Sequence, residues 1–319
     1  MIELARPCRL EVADTADWKS ALRERRPNIS SNLRPRTLSQ IGALVQTEAR
    51  AQFPHFVFLP IPRTLALMSD TLVVNEVYLS LQGESTFAGL PCIFIRLAAC
   101  NLRCSYCDTA YAFTGGEKKE LPKIIHEVDR LAAPYRAGPS DSQPVNATIT
   151  QLPLVELTGG EPLVQRNALP LMKALCDAGY TVLLETSGAH DISTVDPRVR
   201  RIMDLKCPSS GEVERNRWDN LQHLKSTDEV KFVLGTHEDY AWAHKVILEH
   251  NLQRACPLLF SWVHPLAPEQ QHSSLKKVPP GQTPISRQEL VERIVADALP
   301  VRFQVQLHKI IWPPEQRGV

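Results

Sequence analysis

Along residues 1–70, polar and apolar positions follow no helical or strand period: Arg, Pro, Ser and Asn interrupt every short apolar run, as in RRPNISSNLRPRT. This stretch reads as a weakly ordered N-terminal extension, with a small accessory element packed on the core as the other reading. Met68 stands just before a strand-like run, so a chain starting there is a second candidate form. From residue 71 to 319 the pattern is different. Apolar strand candidates, VVNEVYLSL (73–81), CIFIRLA (92–98), LVELTGG (154–160), TVLLET (181–186), RRIMDLKCP (200–208), EVKFVLG (229–235), PLLFSWV (257–263) and VRFQVQLHKI (301–310), are interleaved with helical stretches. The helical period falls on 121–133, 169–179, about 238–250 and 285–299, and a Pro/Ser-rich loop occupies 134–153. Buried strands alternating with helices predict a mainly parallel sheet in an α/β fold. About six βα units are too few for a closed eight-stranded barrel, so 71–319 is expected to form an open, partial (β/α)6-type TIM barrel. Working groups should then collect on the loops that follow the strands.

Composition sets limits on this picture. The 319 residues are 43% hydrophobic, enough for a substantial core. Lys plus Arg number 36 against 35 Asp plus Glu, so no basic field draws in nucleic acid. No apolar run reaches the length of a membrane span, and the first residues have no uninterrupted apolar segment of the secretory kind. Eight cysteines are too sparse for a disulfide scaffold in a chain of this length, which points to a reducing, cytoplasmic setting.

Three of those cysteines are crowded together. Cys100, Cys104 and Cys107 form a C-x3-C-x2-C array in ACNLRCSYCDT, directly after a predicted strand. Three thiolates leave one position of a four-iron, four-sulfur cluster without a protein ligand, and an open position serves chemistry. Spacing alone also allows a structural zinc with a histidine as fourth ligand, or thiols with no metal role. Zinc sites built from close pairs usually carry a second knuckle, and no other close pair of cysteines occurs here.

Other strand ends carry further candidates: Thr158-Gly159-Gly160-Glu161-Pro162, Thr186-Ser187-Gly188 and Lys206-Cys207-Pro208. The two glycines remove side chains where a ligand would approach the backbone, and Glu161 can accept from a cationic amine. Taken singly, each has an ordinary structural reading, a turn for the glycines and an ion pair for Lys206, and His308 of the QLHK run (306–309) reads alone as a satisfied histidine.

The order of these motifs resembles that of the radical S-adenosylmethionine enzymes, with the cysteine loop followed by a GGE element. Within that superfamily, NEVYLSLQGESTFAGLPCIFIRLAACNLRCSYCDTAYAF together with TGGEP and QLHK resembles the 7-carboxy-7-deazaguanine synthases of queuosine (tRNA modification) biosynthesis, from about residue 72 to near the C-terminus. The resemblance implies the superfamily's partial barrel and a lyase reaction, conversion of 6-carboxy-5,6,7,8-tetrahydropterin to 7-carboxy-7-deazaguanine with ring contraction and loss of ammonia. It implies that Cys100, Cys104 and Cys107 hold a 4Fe-4S cluster, and that a radical derived from S-adenosylmethionine removes a hydrogen from C6 of the substrate and later returns it. Tyr106, Cys107, Asp108, Gly160, Glu161, Ser187 and Lys206 would meet S-adenosylmethionine. Leu81, Gln82, Gly83, Glu84, Arg96, Thr158 and His308 would meet the pterin, with the Arg96 fork suited to its carboxylate. Thr109 would bind Mg2+, a hard cation that takes oxygen ligands.

Implied partners are the small-molecule pterin, an external one-electron reductant and a second copy of the chain in a homodimer, with no direct contact to nucleic acid or membrane. Two departures from the family pattern stand out. Ser85 replaces the second glycine of an SLQGEG-type segment, which matters if the position requires positive φ. The chain also continues past Lys309 as IIWPPEQRGV, so a family contact made by a terminal carboxylate is not assumed. Another radical S-adenosylmethionine enzyme, such as a glycyl-radical activase, would need the cysteine loop and GGE but neither SLQGE nor QLHK. A zinc-binding module would need only the thiols.

Overall fold

The computed structural model describes residues 70–136, 152–313 and 316–319. The chain divides into two compact units at Pro62/Arg63, and the first lies wholly outside the described residues. The expectations for residues 1–69 and for most of the 134–153 loop therefore also fall outside them.

Nine strands form one open sheet: β1 (Thr71–Leu81), β2 (Pro91–Leu97), β3 (Glu117–Glu120), β4 (Leu154–Gly159), β5 (Val182–Thr186), β6 (Arg200–Asp204), β7 (Glu229–Leu234), β8 (Leu258–Trp262) and β9 (Arg302–Gln304). Their spatial order is β3-β1-β2-β4-β5-β6-β7-β8-β9. The run from β2 through β4 to β9 is parallel, and β1 joins it as an antiparallel neighbour of β2. Helices α1 (Leu121–Arg136), α2 (Ala168–Asp177), α3 (His237–Glu249) and α4 (Arg287–Ala296) lie near the expected positions, and a single turn, α5 (His308–Ile311), ends the series. This is the partial, open barrel that the strand count implied.

Three details differ from expectation. β3, sequence EKKE, carries no apolar alternation, yet it pairs with the start of β1 from Thr71↔Glu120 to Val74↔Glu117. An edge strand of this kind is held by backbone bonds, and its charges protect the edge. Helix α1 continues past Pro134 to Arg136, although the proline removes one donor from its ladder. The segment 301–310 is not one strand: it is three residues of β9, a short link, and the turn of α5.

One large apolar cluster packs the outer face of the sheet against the helices, with Ile93, Ile95, Leu97, Val155, Leu157, Phe232 and Phe260 from the strands and Ile124, Leu171, Ala243 and Leu290 from the helices. Caps fix two helix starts: Thr236 and Asp239 form a capping box on α3, and Ser286 and Glu289 do so on α4. A smaller cluster, Phe87, Cys92, Phe94, Leu154, Leu183, Ile202 and Leu259, fills the base of the barrel interior.

Candidate active site

Strand period two explains what stands above that apolar base. Residues i and i+2 share a face, so Cys92, Phe94 and Arg96 of β2 point inward together, as do Leu154, Glu156 and Thr158 of β4 and Leu183 and Glu185 of β5. Ile202 and Asp204, Lys231 and Val233, and Leu259 and Ser261 continue the series on β6, β7 and β8. On each strand the later inward positions line one cavity, which also takes in Tyr78 of β1. A polar layer thus sits on an apolar plug, at the C-terminal ends of the parallel strands.

Charge in this layer is paired. Lys231 Nζ lies 2.7 Å from Glu185 and 3.5 Å from Glu84, and Thr158 Oγ1 donates to Glu185 at 3.0 Å. Burial alone would push the Glu185 carboxyl up, but Lys231 and the hydrogen bonds hold it below its ordinary value, and it is ionised. Glu84 and Glu156 go the other way: burial raises Glu84 despite Lys231, and burial with the nearby Glu185 raises Glu156 far more.

The β1–β2 hairpin loop carries the SLQGES segment and closes the base of the barrel. Gln82 donates through its amide nitrogen to Glu156 and accepts from Glu84 N at 2.8 Å, which fixes the orientation of its side chain. Ser85 N donates to Gln304 of β9 at 2.8 Å, and Thr86 bonds Glu229 at the start of β7. The hairpin loop thereby reaches strands on the far side of the sheet. Ser85 adopts φ +66°, the left-handed region that favours glycine, and its Oγ accepts from Phe87 N at 3.1 Å.

Arg96 is fully oriented before any ligand arrives. Its Nε donates to Glu76 at 2.8 Å and its Nη2 to Tyr78 OH at 2.8 Å, and Tyr111 OH donates to the same Glu76 oxygen at 2.7 Å. Burial opposes its charge, yet the surrounding Tyr78, Tyr111 and Glu76 keep it protonated. Thr158 is its register partner on β4, so the two project side by side.

The cysteine loop leaves β2 through Ala99, another non-glycine residue at positive φ (+72°), and carries no regular secondary structure at its three thiols. Cys100, Cys104 and Cys107 are all free and all line the cavity, together with Tyr106, Asp108 and Thr109. Burial pushes up the thiols of Cys100 and Cys104, and burial together with Asp108 pushes that of Cys107 up to about 12. Among the described residues no three His, Cys, Asp or Glu side chains converge as a single metal ion requires. Three thiols that face one cavity are the donor set that a four-iron, four-sulfur cluster with one open position would use. Thr109 Oγ1 lies 3.7 Å from Cys107 Sγ.

The TGGEP segment fits closely against this loop. A Cβ on Gly159, at φ +132°, would lie 2.2 Å from Leu97 O, and one on Gly160 would lie 1.9 Å from Ala99 O and 3.0 Å from Cys100 Cβ. Only glycine lets β4 end against the cysteine loop. Gly160, Ser187 and Lys206 line the cavity, but Glu161 does not. Its carboxylate is completely buried and accepts from Leu163 N (3.0 Å), Thr186 Oγ1 (2.9 Å) and Ser187 N (2.6 Å), so it ties the end of β4 to the end of β5. Lys206 Nζ bonds Asp204 at 2.7 Å, while Asp204 Oδ1 and Tyr106 OH are buried without a partner among the described residues. Such orphaned atoms at a cavity wall fit a site that takes a polar ligand.

QLHK closes the other side. Leu307 N donates to Gly83 O at 3.0 Å, Lys309 Nζ reaches Asp108 at 2.5 Å and Gln306 reaches it at 3.3 Å. Burial lowers the His308 pKa, leaving a neutral imidazole in the cavity wall. Residues 316–319 also line the cavity, with the Arg317 guanidinium 3.9 Å from the Tyr111 ring centroid.

Every site residue singled out in the sequence therefore lines one cavity except Glu161. Sequence reasoning missed Tyr78, Tyr111, Glu156, Glu185, Asp204, Lys231 and residues 316–319. For four of them a signal existed: strands of a parallel sheet buried on both faces should read as nearly continuous apolar runs, and a charge inside LVELTG, VLLET, RRIMD or EVKFVL breaks that rule.

No family model matches the chain. Curated relatives named 7-carboxy-7-deazaguanine synthase include one from Koribacter versatilis (strain Ellin345), 40% identical over 248 residues that cover 77% of this chain and 99% of the relative. Another, from Chlorobaculum tepidum, is 39% identical over 251 residues, 78% of this chain and 97% of the relative. The crystal structure of QueE from Escherichia coli superposes with a TM-score of 0.53 at 20% identity, covering 75% of this chain and 95% of that one, a likeness of fold. The class is that of the radical S-adenosylmethionine enzymes, for which a 4Fe-4S cluster and S-adenosylmethionine are implied. Within it, the chain belongs to the 7-carboxy-7-deazaguanine synthase family.

Proposed function

We propose that this chain converts 6-carboxy-5,6,7,8-tetrahydropterin to 7-carboxy-7-deazaguanine, a carbon–nitrogen lyase reaction with ring contraction and loss of ammonia. The observation that carries this reading is a single cavity in which the Arg96 fork and the three-thiol loop face the same space. Cys100, Cys104 and Cys107 hold the 4Fe-4S cluster. Gly160, Tyr106, Asp108, Ser187 and Lys206 receive S-adenosylmethionine, with Glu161 supporting that wall from behind. When bound, these groups supply the radical that takes hydrogen from C6 of the substrate.

The chain's own residues position the substrate and exclude water. Arg96 binds its carboxylate, and Nη1 is the guanidinium nitrogen without a hydrogen bond among the described residues. Backbone atoms of Leu81 and Gly83, with Gln82, Glu84, Thr158 and His308, meet the pterin edges. Glu185, kept ionised by Lys231, adds an acceptor in the same layer. Thr109 supplies an oxygen to Mg2+, and Thr109→Ala should lose magnesium dependence without losing cluster iron.

An external one-electron reductant serves the cluster, the protein acts as a homodimer in the cytoplasm, and no nucleic acid binds. Among the described residues no helix is long and apolar enough to cross a membrane. Residues 71–319 form the catalytic unit and 1–70 an appendage, so a version starting at Met68 should turn over as the full chain does. The whole reading is tested by anaerobic reconstitution, reduction, and incubation with S-adenosylmethionine and the carboxytetrahydropterin. Formation of 7-carboxy-7-deazaguanine supports it. Cofactor cleavage with the pterin left intact would assign the chain to another radical S-adenosylmethionine reaction.

A further inference from the structure

The cysteine loop has no ladder of its own, so its backbone groups must be satisfied from elsewhere. Arg103, between Cys100 and Cys104, shows how. Its N–H donates to Glu212 Oε1 at 2.7 Å, and its carbonyl accepts from Lys276 N at 2.9 Å. Lys276 Nζ then closes the ring, 2.9 Å from Glu212 Oε2 and 2.6 Å from Gly211 O. The three segments come from distant parts of the chain: the cysteine loop, the turns after β6, and the strap of residues 263–286 between β8 and α4.

Neighbouring contacts serve the same purpose. Ser105 N donates to Ser210 O at 3.0 Å and Ser105 Oγ to Ser209 O at 2.7 Å, which docks the second half of the loop on the same turns. The Arg103 side chain donates to Cys100 O at 2.8 Å and lies 4.2 Å from the Phe113 ring centroid, and Phe113 meets His272 of the strap edge-on. Gly211, at φ +71°, lets the strap approach, since a Cβ there would lie 3.0 Å from Lys276 Cδ. Glu212 is 5% exposed, and neither it nor Lys276 lines the cavity. A buried carboxylate that touches no ligand but grips the peptide between two ligand cysteines has a positional task.

We propose that Glu212 is a positioning residue for the cysteine loop, clamping the Arg103 peptide while Lys276 of the strap holds Glu212 in place. The proposal rests on Cys100, Cys104 and Cys107 being the cluster ligands. The clamp sets the spacing of the thiols and slows their departure from iron. It thereby acts on retention of the cluster more than on any step of turnover.

The test uses the full chain, reconstituted anaerobically, with three variants: Glu212→Gln, Glu212→Ala and Lys276→Met. Iron release to a ferrous chelator, the electron paramagnetic resonance spectrum of the reduced cluster, and thermal unfolding of the metal-free protein are measured on each. Groups that orient metal ligands typically change metal affinity about tenfold or more, so Glu212→Ala should release iron about ten times faster than the parent, with an altered spectrum. Glu212→Gln keeps an acceptor for Arg103 N–H and should recover part of the retention. Lys276 is 48% exposed, so Lys276→Met should fold and release iron about threefold faster, in keeping with a partly solvated pair. If Glu212→Ala does not fold, Lys276→Met and Glu212→Gln carry the test. Variants that unfold at lower temperature yet release iron at the parental rate with the parental spectrum would overturn the clamp. A parent that takes up no cluster would overturn the ligand assignment itself, and the clamp with it.

Discussion

Lys309 donates to Asp108 at 2.5 Å across 201 positions of sequence, tying the QLHK segment to the residue that follows the third cysteine. Lys309 is 4% exposed and Asp108 23%, so the pair is poorly screened. It holds the C-terminal wall of the cavity against the cysteine loop.

The pair makes stability depend on acidity. Burial works to raise the Asp108 carboxyl, but Lys309 holds it down at about 2, below its unfolded value near 3.8. A depressed carboxyl contributes fully above the unfolded value, and that contribution disappears as the pH falls through about 2. Lys309→Met should cost about 2 kcal/mol at pH 7, and the deficit should shrink on acidification. Thermal unfolding of parent and variant from pH 6 to pH 2 measures this; a deficit constant over that range would refute the pairing.

Glu156 predicts the opposite trend. Burial, and after it Glu185, lets the folded protein keep a proton that the unfolded chain gives up near pH 4.5. Stability from this group is complete below that value and declines as the pH rises towards the folded pKa. Glu156→Gln keeps an acceptor for the Gln82 amide and removes the ionisable group. It should therefore be more stable than the parent by about 1 kcal/mol or more at pH 8, with the gain vanishing near pH 4. Urea unfolding at both pH values decides it.

Gly160→Ala should be among the most damaging small substitutions in the chain. Its Cβ would lie 1.9 Å from the carbonyl oxygen of Ala99, a backbone atom that cannot swing aside. A cost of about 3 kcal/mol or more is expected, with loss of most reconstituted iron, because the cysteine loop must move. Iron content and melting temperature near parental values would mean that the loop can yield.

Arg96→Lys should separate binding from chemistry. Lysine keeps the charge, but one compact ammonium replaces the planar fork that reaches Glu76 and Tyr78 from separate nitrogens and leaves a third for a carboxylate. About a tenfold rise in KM with kcat changed less is the expected result. An unchanged KM would remove Arg96 from the substrate contacts.

Much of this site was legible in the sequence because its motifs are local. Cysteine spacing and GGE each occupy a few consecutive positions, and the strand-end rule places them together; QLHK is equally local but was read inside a strand, whereas β9 ends before it at Gln304. What escaped was set by tertiary pairing. Glu185 and Lys231 stand out as charges inside buried strands, but their pairing follows only when β5 and β7 project to the same face. Glu161 sits in the right motif, yet its carboxylate is taken by Thr186 and Ser187, a contact between strand ends that no local pattern encodes. β3 was missed because its pairing rests on backbone bonds alone. Ser85 was legible as a departure, and its φ of +66° shows that the chain retains the glycine conformation without the glycine.

The proposed reaction requires one cavity to bring C6 of the pterin to the radical supplied beside the cysteine loop. Turnover with substrate deuterated at C6 tests this most directly. Deuterium appearing in the S-adenosylmethionine recovered after turnover, with 7-carboxy-7-deazaguanine as product, is the predicted result. Product formed with no label in the cofactor, or cofactor cleaved with the labelled pterin unchanged, would rule out this reaction.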